Sequence, residues 1–147
     1  GRGAMLAGLD GTLVIDDAYN ASRRSVINAL EAASELAKTR QGRVIAVLGD
    51  MLELGPESDA MHAALAPAVL AASCDLVFAS GPSMAHLWAQ LPVSIRGAYA
   101  QTSADFVDLV AADVRPGDVV MVKGSLGSRM GLIVDALKAR GVEAAKE

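Results

Sequence analysis

The chain has 147 residues, of which 52% are hydrophobic and only 3% are aromatic, and its formal net charge is −4. This size predicts one domain with a sizeable core built from Ala, Val, Leu, Ile and Met. The negative charge, without any basic tract, argues against nucleic-acid binding. No apolar run is long enough to span a membrane and no secretory signal is visible, so we expect a cytoplasmic protein.

Cysteine and histidine usage predicts neither a disulfide nor a metal site. Cys74 is the single cysteine, and we expect it to be a buried thiol in a reducing compartment. His62 and His86 lack the clustered spacing of metal ligands, so we expect no structural metal bound by this chain.

Apolar runs and helical periodicity alternate along the chain. We predict strands at residues 4–9, 12–15, 43–48, 75–79, 95–99 and 118–122, the first two joined as a hairpin by Asp10-Gly11. We predict helices at 22–38, 58–73, 103–112 and 128–140, and a short one between Pro82 and Trp88. Gly141 should end the last helix, and residues 142–147 should fray. The alternation favours an α/β fold with a Rossmann-like, doubly wound, mostly parallel sheet, in which the N-terminal hairpin forms an antiparallel edge.

Polar residues follow four of the predicted strands, at 16–20, 49–53, 80–83 and 123–125. In a parallel sheet these ends share one edge, which is where open α/β sheets bind ligands. Asp17 in particular can accept hydrogen bonds from both hydroxyls of a ribose. The alternative is that Asp17 is only a helix N-terminal acid and Ser22 a plain N-cap.

The glycines late in the chain do not form a complete phosphate-binding loop. In Lys123-Gly124-Ser125 the lysine precedes the glycine, whereas the Walker A sequence needs it afterwards. No G-x-G-x-x-G sequence follows the first strand, and the glycines at 124, 127 and 131 are equally typical of a tight strand-to-helix turn. We therefore expect that this domain alone cannot hold and activate a nucleoside triphosphate.

Three blocks of residues, in the right order, resemble signatures of the C-terminal domain of the Mur ligases. Residues 16–21 resemble a family Asp-Asp-Ser-Tyr-Asn-Ala sequence, with Ala18 in place of Ser. Residues 47–55 followed by His62 resemble a Gly-Asp-Met-x-Glu-Leu-Gly…His block. Residues 122–125 with Met130 resemble a Val-Lys-Gly-Ser-Arg…Met ending, with Leu126 in place of Arg. The resemblance covers nearly the whole chain.

This resemblance implies an ATP-dependent, ADP-forming amide synthesis in the making of peptidoglycan precursors. An acyl phosphate forms on the precursor, and the amine of the incoming compound attacks it and releases phosphate. The Tyr19-Asn20 pair favours the member that joins D-alanyl-D-alanine to UDP-N-acetylmuramoyl-tripeptide. In this family the phosphate loop and the Mg²⁺ ligands lie on a central domain. Residues 1–147 would then be an excised third domain, with residues 1–3 as a hinge remnant and the N-terminal and central domains as partners. We expect a monomer, inactive by itself.

The same resemblance implies roles for individual residues. Arg2 matches a hinge arginine directed at the terminal phosphate and is the catalytic candidate. Asp17 matches a ribose-binding aspartate, and Tyr19 and Asn20 lie where relatives place groups that face the nucleotide and the incoming amino acid. The candidates for contact with the incoming amino compound are Ser125 and Lys123. Asp50, Glu53 and His62 belong to the signature without an assigned role.

Three other functions compete with this interpretation. The chain could belong to another Mur-type or folylpolyglutamate-type ligase. It could instead be a non-catalytic, Rossmann-like nucleotide-binding module, which would need a complete phosphate-binding turn of its own. It could also be an interaction domain whose strand-end polar residues serve only as caps.

Overall fold

The computed structural model describes residues 4–7, 13–17 and 21–146, with side chains described at 14, 15 and 21–139. Within these ranges there are six strands: β1 (Ala4–Ala7), β2 (Leu13–Asp17), β3 (Val44–Gly49), β4 (Leu76–Ser80), β5 (Arg96–Ala100) and β6 (Val119–Lys123). The same ranges contain six α-helices: α1 (Arg23–Arg40), α2 (Ser58–Ala63), α3 (Ala66–Ala71), α4 (Met84–Trp88), α5 (Val107–Asp113) and α6 (Gly131–Lys146).

All six strands form one sheet in the order β1-β2-β6-β3-β4-β5. β1 and β2 pair antiparallel, and every other neighbouring pair is parallel. The predicted fold class is therefore confirmed, including the antiparallel hairpin edge. The predicted Asp10-Gly11 turn lies outside the described residues. Since β2, β6, β3, β4 and β5 run in the same direction, their carboxyl ends meet along one side of the sheet, here called the carboxyl edge; their starts form the amino edge.

The central strands are buried on both faces. All six residues of β3 and all five of β6 are buried, as expected for a parallel sheet covered by helices. Side chains alternate between two cores: Ala46 and Leu48 pack with α1 and α3, whereas Ile45 and Val47 pack with α5 and α6. The helices therefore cover both faces of the sheet.

Helix α1 begins as its sequence predicts. Ser22 is the N-cap, and its side chain accepts a hydrogen bond from the Ser25 backbone N–H while the Ser25 hydroxyl accepts one from the Ser22 N–H. The first turn of α1 contains no acidic residue, because Asp17 is the last residue of β2. The alternative that Asp17 is a helix N-terminal acid is therefore wrong, whereas the N-cap at Ser22 is confirmed.

The predicted helix at 58–73 is wrong in its continuity. The structure has two short helices, α2 and α3, separated at Ala64 and Leu65. Pro67 lies in the first turn of α3. Proline has no N–H and restricts the residue before it, so the helix restarts at this point instead of continuing.

The last helix also differs from the prediction. A 3₁₀ turn at Leu126–Ser128 comes first, and α6 then runs from Gly131 through Gly141 to Lys146. Glycine inside a helix costs about 1 kcal/mol relative to alanine, which neighbouring residues can offset, so Gly141 does not end it. Fraying of 142–147 stays a prediction. No helix among the described residues combines the length and apolarity needed to cross a bilayer.

A cluster of charged residues holds the amino edge together. Arg43 donates from Nε and Nη2 to the two carboxylate oxygens of Asp118, at 2.9 and 2.8 Å, and from Nη2 to the Asp113 carbonyl at 2.8 Å. Asp118 is 2% exposed and also accepts from the Arg115 N–H at 2.7 Å. The hydrogen bonds that Arg43 donates to the Asp118 carboxylate raise the pKa of Arg43, which stays charged. This pair joins the start of β3 to the start of β6.

Candidate functional site

The predicted meeting of four strand ends is confirmed by the register of the sheet. Asp17 aligns with Lys123 across β2 and β6, and Lys123 aligns with Leu48 on β3. Gly49 then aligns with Ser80 at the end of β4. The segments that follow these strands therefore come together at the carboxyl edge, where ligands of open α/β sheets bind.

Asp50, which directly follows β3, fixes the loop after β4. Asp50 is 5% exposed, and its carboxylate accepts from the backbone N–H groups of Ser83 at 3.2 Å and Met84 at 2.8 Å. These are N–H groups at the start of α4, which lack partners within the helix. Asp50 therefore caps a helix that lies far away in the sequence.

Gly81 lies against Asp50 at the end of β4. Its φ is +109°, and a Cβ at this position would overlap the Asp50 carboxylate, so only glycine fits. The Tyr99 hydroxyl donates to the Gly81 carbonyl at 2.7 Å. Burial, and then the negative charge of Asp50, raise the pKa of Tyr99, which keeps the phenol protonated as a donor.

His62 fixes the segment after Asp50. It is completely buried, its Nε2 accepts from the Met51 N–H at 2.9 Å, and its Nδ1 lies 2.6 Å from the Ser58 carbonyl. An acceptor at Nε2 and a donor at Nδ1 require the neutral ring with its proton on Nδ1. The signature histidine is therefore a support for the loop, with both ring nitrogens bonded inside the protein.

Ser125 joins the loops that follow β3 and β6. Its hydroxyl oxygen accepts from the Leu52 N–H at 2.9 Å, and its own N–H donates to the Asp50 carbonyl at 3.1 Å. Its hydroxyl proton has no acceptor in the described part of the chain, so Ser125 can still donate to a ligand. Lys123, two residues earlier, is completely buried and is engaged in interactions within the protein.

The packing of Met130 requires glycine at positions 49 and 124, which both belong to the signature blocks. Gly49 and Gly124 lie side by side, and a Cβ on either would collide with the Met130 side chain and the Ser128 hydroxyl. Met130 is completely buried, and the Ser80 hydroxyl is directed at its sulfur at 3.5 Å. The two glycines therefore let this methionine pack directly over the ends of β3 and β6.

A cleft of about 330 Å³ opens beside these loops. It lies between the ends of β4 and β5 and the segment that leads into α6. Its lining consists of Asp50, Leu52, Ser80, Gly81, Pro82, Gln101, Thr102, Ser103, Ala104, Gly127, Ser128, Arg129 and Leu132. This volume lies within the range of small-molecule sites.

Sequence reasoning missed the second wall of this cleft. Gln101, Thr102 and Arg129 belong to none of the three signature blocks, and nothing in their local sequence marks them as neighbours. What distinguishes Arg129 is visible in the structure and not in the sequence: its φ is +58°, in the left-handed region that glycine normally occupies.

The remaining predicted residues fall into two groups. Glu53 is exposed, with φ +62°, and its carboxylate has no partner among the described residues. Arg2, Tyr19 and Asn20 lie outside the described residues, and for Asp17 only the backbone is described. Over the described ranges, no group of three His, Cys, Asp or Glu side chains could hold a metal ion.

Together the fold and the carboxyl edge define a doubly wound α/β domain with loops after β3, β4 and β6 fixed by hydrogen bonds within the protein. The family described as "Mur ligase, glutamate ligase domain" matches residues 1–126. The chain therefore belongs to the Mur ligase family.

Among known proteins, the chain is similar to several that are named UDP-N-acetylmuramoyl-tripeptide–D-alanyl-D-alanine ligase. It is 30% identical to the protein of Rickettsia prowazekii over 135 residues, covering 92% of this chain and 29% of that protein. It is 33% identical to that of Mycobacterium tuberculosis, covering 88% of this chain and 29% of that protein. It is 31% identical to that of Escherichia coli, with 88% and 27% covered. The chain thus spans less than a third of the length of these relatives.

Solved structures with the same fold include two ligases called MurF. The structure from Thermotoga maritima, in complex with ADP, superposes with a TM-score of 0.78 at 25% identity, covering 97% of this chain and 31% of that one. A structure from Acinetobacter baumannii superposes with a TM-score of 0.75, also at 25% identity, with 93% and 30% covered.

Proposed function

We propose that this chain acts as the third domain of an ATP-dependent ligase that joins D-alanyl-D-alanine to UDP-N-acetylmuramoyl-tripeptide in peptidoglycan synthesis. The observation that carries this proposal is the name shared by the relatives, which match 88–92% of the chain at 30–33% identity. The ADP complex of a MurF ligase with the same fold supports a nucleotide as the energy source. Because the chain spans about 29% of such a relative, the whole reaction would need further domains.

We propose a division of labour between this domain and the rest of the ligase. The phosphates and Mg²⁺ would be held by the central domain, since the described residues contain neither a phosphate loop nor a metal-binding cluster. ATP supplies the phosphoryl group that activates the tripeptide carboxylate. This domain would bind the ribose through Asp17 and face the nucleotide with Tyr19 and Asn20, while Arg2 would stabilise charge on the terminal phosphate.

The carboxyl edge would receive the incoming dipeptide. Ser125 supports this because its hydroxyl proton has no acceptor in the described part of the chain, so it could donate to an oxygen of the bound dipeptide. Lys123 is completely buried and engaged within the protein, so it would support the end of β6 more than it would contact the dipeptide directly. Asp50 and His62 would act as positioning residues, since both hold loop backbone. We propose a monomeric, cytoplasmic enzyme.

The decisive experiment measures phosphate release and amide formation by the full-length ligase that contains this chain. With ATP and UDP-N-acetylmuramoyl-tripeptide, D-alanyl-D-alanine should give one phosphate per amide, whereas meso-diaminopimelate, D-glutamate and L-glutamate should give none. In the same assay Arg2→Lys should release more phosphate per amide, because lysine lacks the planar fork that grips two oxygens. Activity with glutamate or diaminopimelate instead would assign the chain to another ligase of the superfamily.

A further inference from the structure

The cleft at the carboxyl edge has two charged lining residues, Asp50 on one wall and Arg129 on the other. Both oxygens of Asp50 accept backbone N–H groups, which balance part of its negative charge. Arg129 is exposed, and its guanidinium has no hydrogen bond or ion pair with the described residues. Among the described residues that line the cleft, the Arg129 guanidinium is therefore the one positively charged group that is available to a ligand.

The hydroxyl groups of the cleft are already engaged as donors. Their protons are directed at acceptors within the protein: Ser80 at Met130 Sδ, Thr102 at Asp105 Oδ2, Ser103 at the Arg129 carbonyl and Ser128 at the Ser125 carbonyl. Gln101, by contrast, is exposed, and no described residue bonds its side-chain amide. Among the lining side chains, Arg129 and Gln101 are thus the donors that remain for a ligand.

The backbone of Arg129 is fixed on both sides. Its N–H donates to the Leu126 carbonyl at 3.1 Å, and its carbonyl accepts from the Ser103 hydroxyl at 2.8 Å. Its φ of +58° is a conformation that glycine adopts at less cost. Glycines stand two residues away on each side, at 127 and 131, yet this position carries a long cationic side chain. Such a fixed backbone limits the directions in which the guanidinium can extend.

The rest of the lining suits a small aliphatic ligand. Leu52, Pro82, Ala104 and Leu132 supply apolar surface around the polar donors. An arginine can grip both oxygens of a carboxylate at once. The cleft therefore matches a short compound with a free carboxylate and small apolar side chains.

We propose that Arg129, assisted by Gln101, binds the terminal carboxylate of the incoming dipeptide and so makes the ligase specific for acceptors with a free carboxyl end. This inference rests on the proposed function. The carboxylate is the end of D-alanyl-D-alanine remote from the reacting amine, so holding it in this cleft leaves the amine free to reach the activated tripeptide.

The test compares Arg129→Gln with Arg40→Gln in the full-length ligase. Both arginines are exposed, but Arg40 ends α1, away from the cleft. We expect Arg129→Gln to raise KM for D-alanyl-D-alanine by about ten- to a hundredfold, while kcat and KM for ATP stay within about twofold. Arg129→Lys should fall in between, because lysine keeps the charge and loses the fork. Arg40→Gln should match the wild type in every constant.

D-alanyl-D-alaninamide lacks the carboxylate. The ratio of its KM to that of D-alanyl-D-alanine should change only if Arg129 contacts the carboxylate, and not if Arg129 merely supports the fold. For the wild type, KM for this amide should exceed KM for D-alanyl-D-alanine by the same factor by which Arg129→Gln raises KM for D-alanyl-D-alanine. For Arg129→Gln, the KM values for D-alanyl-D-alanine and for the amide should be equal. An unchanged KM in Arg129→Gln, or an equal loss for both acceptors, overturns this inference and leaves the proposed function standing. A wild-type ligase that ignores D-alanyl-D-alanine overturns both.

Discussion

At the amino edge of the sheet charged side chains pair with one another, whereas at the carboxyl edge polar side chains bind the backbone of loops. Arg43 and Asp118 form a bidentate ion pair between the starts of β3 and β6. Asp50 and His62 instead hold the N–H groups of Met84 and Met51. The first arrangement joins strands that are already fixed by the sheet, and the second gives fixed positions to loops that the sheet leaves free.

This difference separates stability from function. Around the amino-edge pair, both carboxylate oxygens of Asp118 and the Nε and Nη2 donors of Arg43 are engaged within the protein. At the carboxyl edge, the supporting residues Asp50 and His62 are buried, whereas the side chains of Glu53 and Arg129 are exposed and have no partner among the described residues. Buried residues that hold the loops rigidly, next to exposed polar side chains without hydrogen-bond partners, are the arrangement expected of a ligand site. Substitutions at the amino edge should therefore change stability alone, and those at the carboxyl edge should also change substrate constants.

The largest effect on stability is expected from Asp118→Ala. It leaves the Arg43 guanidinium and the Arg115 N–H without their carboxylate, so the free energy of unfolding should fall by about 3 kcal/mol. Urea unfolding of the 147-residue chain measures it, with the exposed Asp108→Ala as control. In the full-length ligase, kcat and KM below the melting temperature should be unchanged. A changed KM for the dipeptide would contradict the separation of the two edges.

His62→Leu should follow, with a loss of about 2 kcal/mol. Leucine has a similar volume but removes both ring hydrogen bonds and leaves the Met51 N–H unpaired, at about 1 kcal/mol or more for each bond lost. Because the loop after β3 loses its support, KM for D-alanyl-D-alanine should also rise severalfold. His86→Leu, at a histidine whose side chain is 50% exposed, is the matched control and should change neither quantity. Loss of stability with unaltered KM would show that this loop takes no part in the site.

Asp17→Ala should lower kcat/KM for ATP by about ten- to a hundredfold, since a hydrogen bond to a charged group is worth about 1.5–3 kcal/mol. Asp17→Asn keeps an acceptor for a ribose hydroxyl and should lose less. Steady-state kinetics of the full-length ligase with varied ATP distinguishes the two. Equal and negligible losses in both variants would remove Asp17 from the nucleotide site.

Ser125→Ala should have a smaller effect of both kinds. Losing the acceptor of the Leu52 N–H should cost about 1 kcal/mol of stability, and losing the free hydroxyl proton should raise KM for the dipeptide by about tenfold. Ser128→Ala is the matched control, because its hydroxyl also bonds inside this segment but has its proton engaged at the Ser125 carbonyl. It should lose similar stability and raise KM less, because Ser128 lines the cleft but its hydroxyl proton is not available to a ligand. If both variants shift KM alike, the effect belongs to the loop and not to the Ser125 hydroxyl.

The smallest effect near neutral pH is expected from the Cys74 thiol at the amino edge, because this effect develops only in alkaline solution. Burial, and then the neighbouring Asp75, raise the pKa of Cys74 to about 12. The unfolded thiol ionises near pH 9, so the stabilisation from this group is fully present below about pH 9 and is lost as the pH rises towards 12. Unfolding in urea across this range should show a shallower decline for Cys74→Ala than for the wild type. Parallel curves would contradict the burial effect.

Local chemistry made much of the fold predictable. The apolar runs of β3 and β6, the hairpin pattern and the cap at Ser22 depend on residues that are close in the sequence. The strands begin within one residue of their predicted starts and the cap is confirmed, while the hairpin turn lies outside the described residues. The same locality explains the errors. Pro67 and Gly141 are both helix breakers by propensity; Pro67 divides the predicted second helix, whereas α6 continues through Gly141. Helix propensity alone does not predict at which of these two residues the surrounding packing will keep the helix continuous.

The sequence by itself determined the family and the edge of the sheet at which its signature residues gather, because motif order and strand direction are properties of the chain. Only the tertiary structure decided what those residues do. Asp50 caps α4, His62 holds Met51, and Met130 packs over Gly49 and Gly124, in most cases between residues distant in the sequence. Arg129 reaches the cleft in the same way. Such contacts follow from how loops from separate strands pack together, and no local propensity encodes that packing.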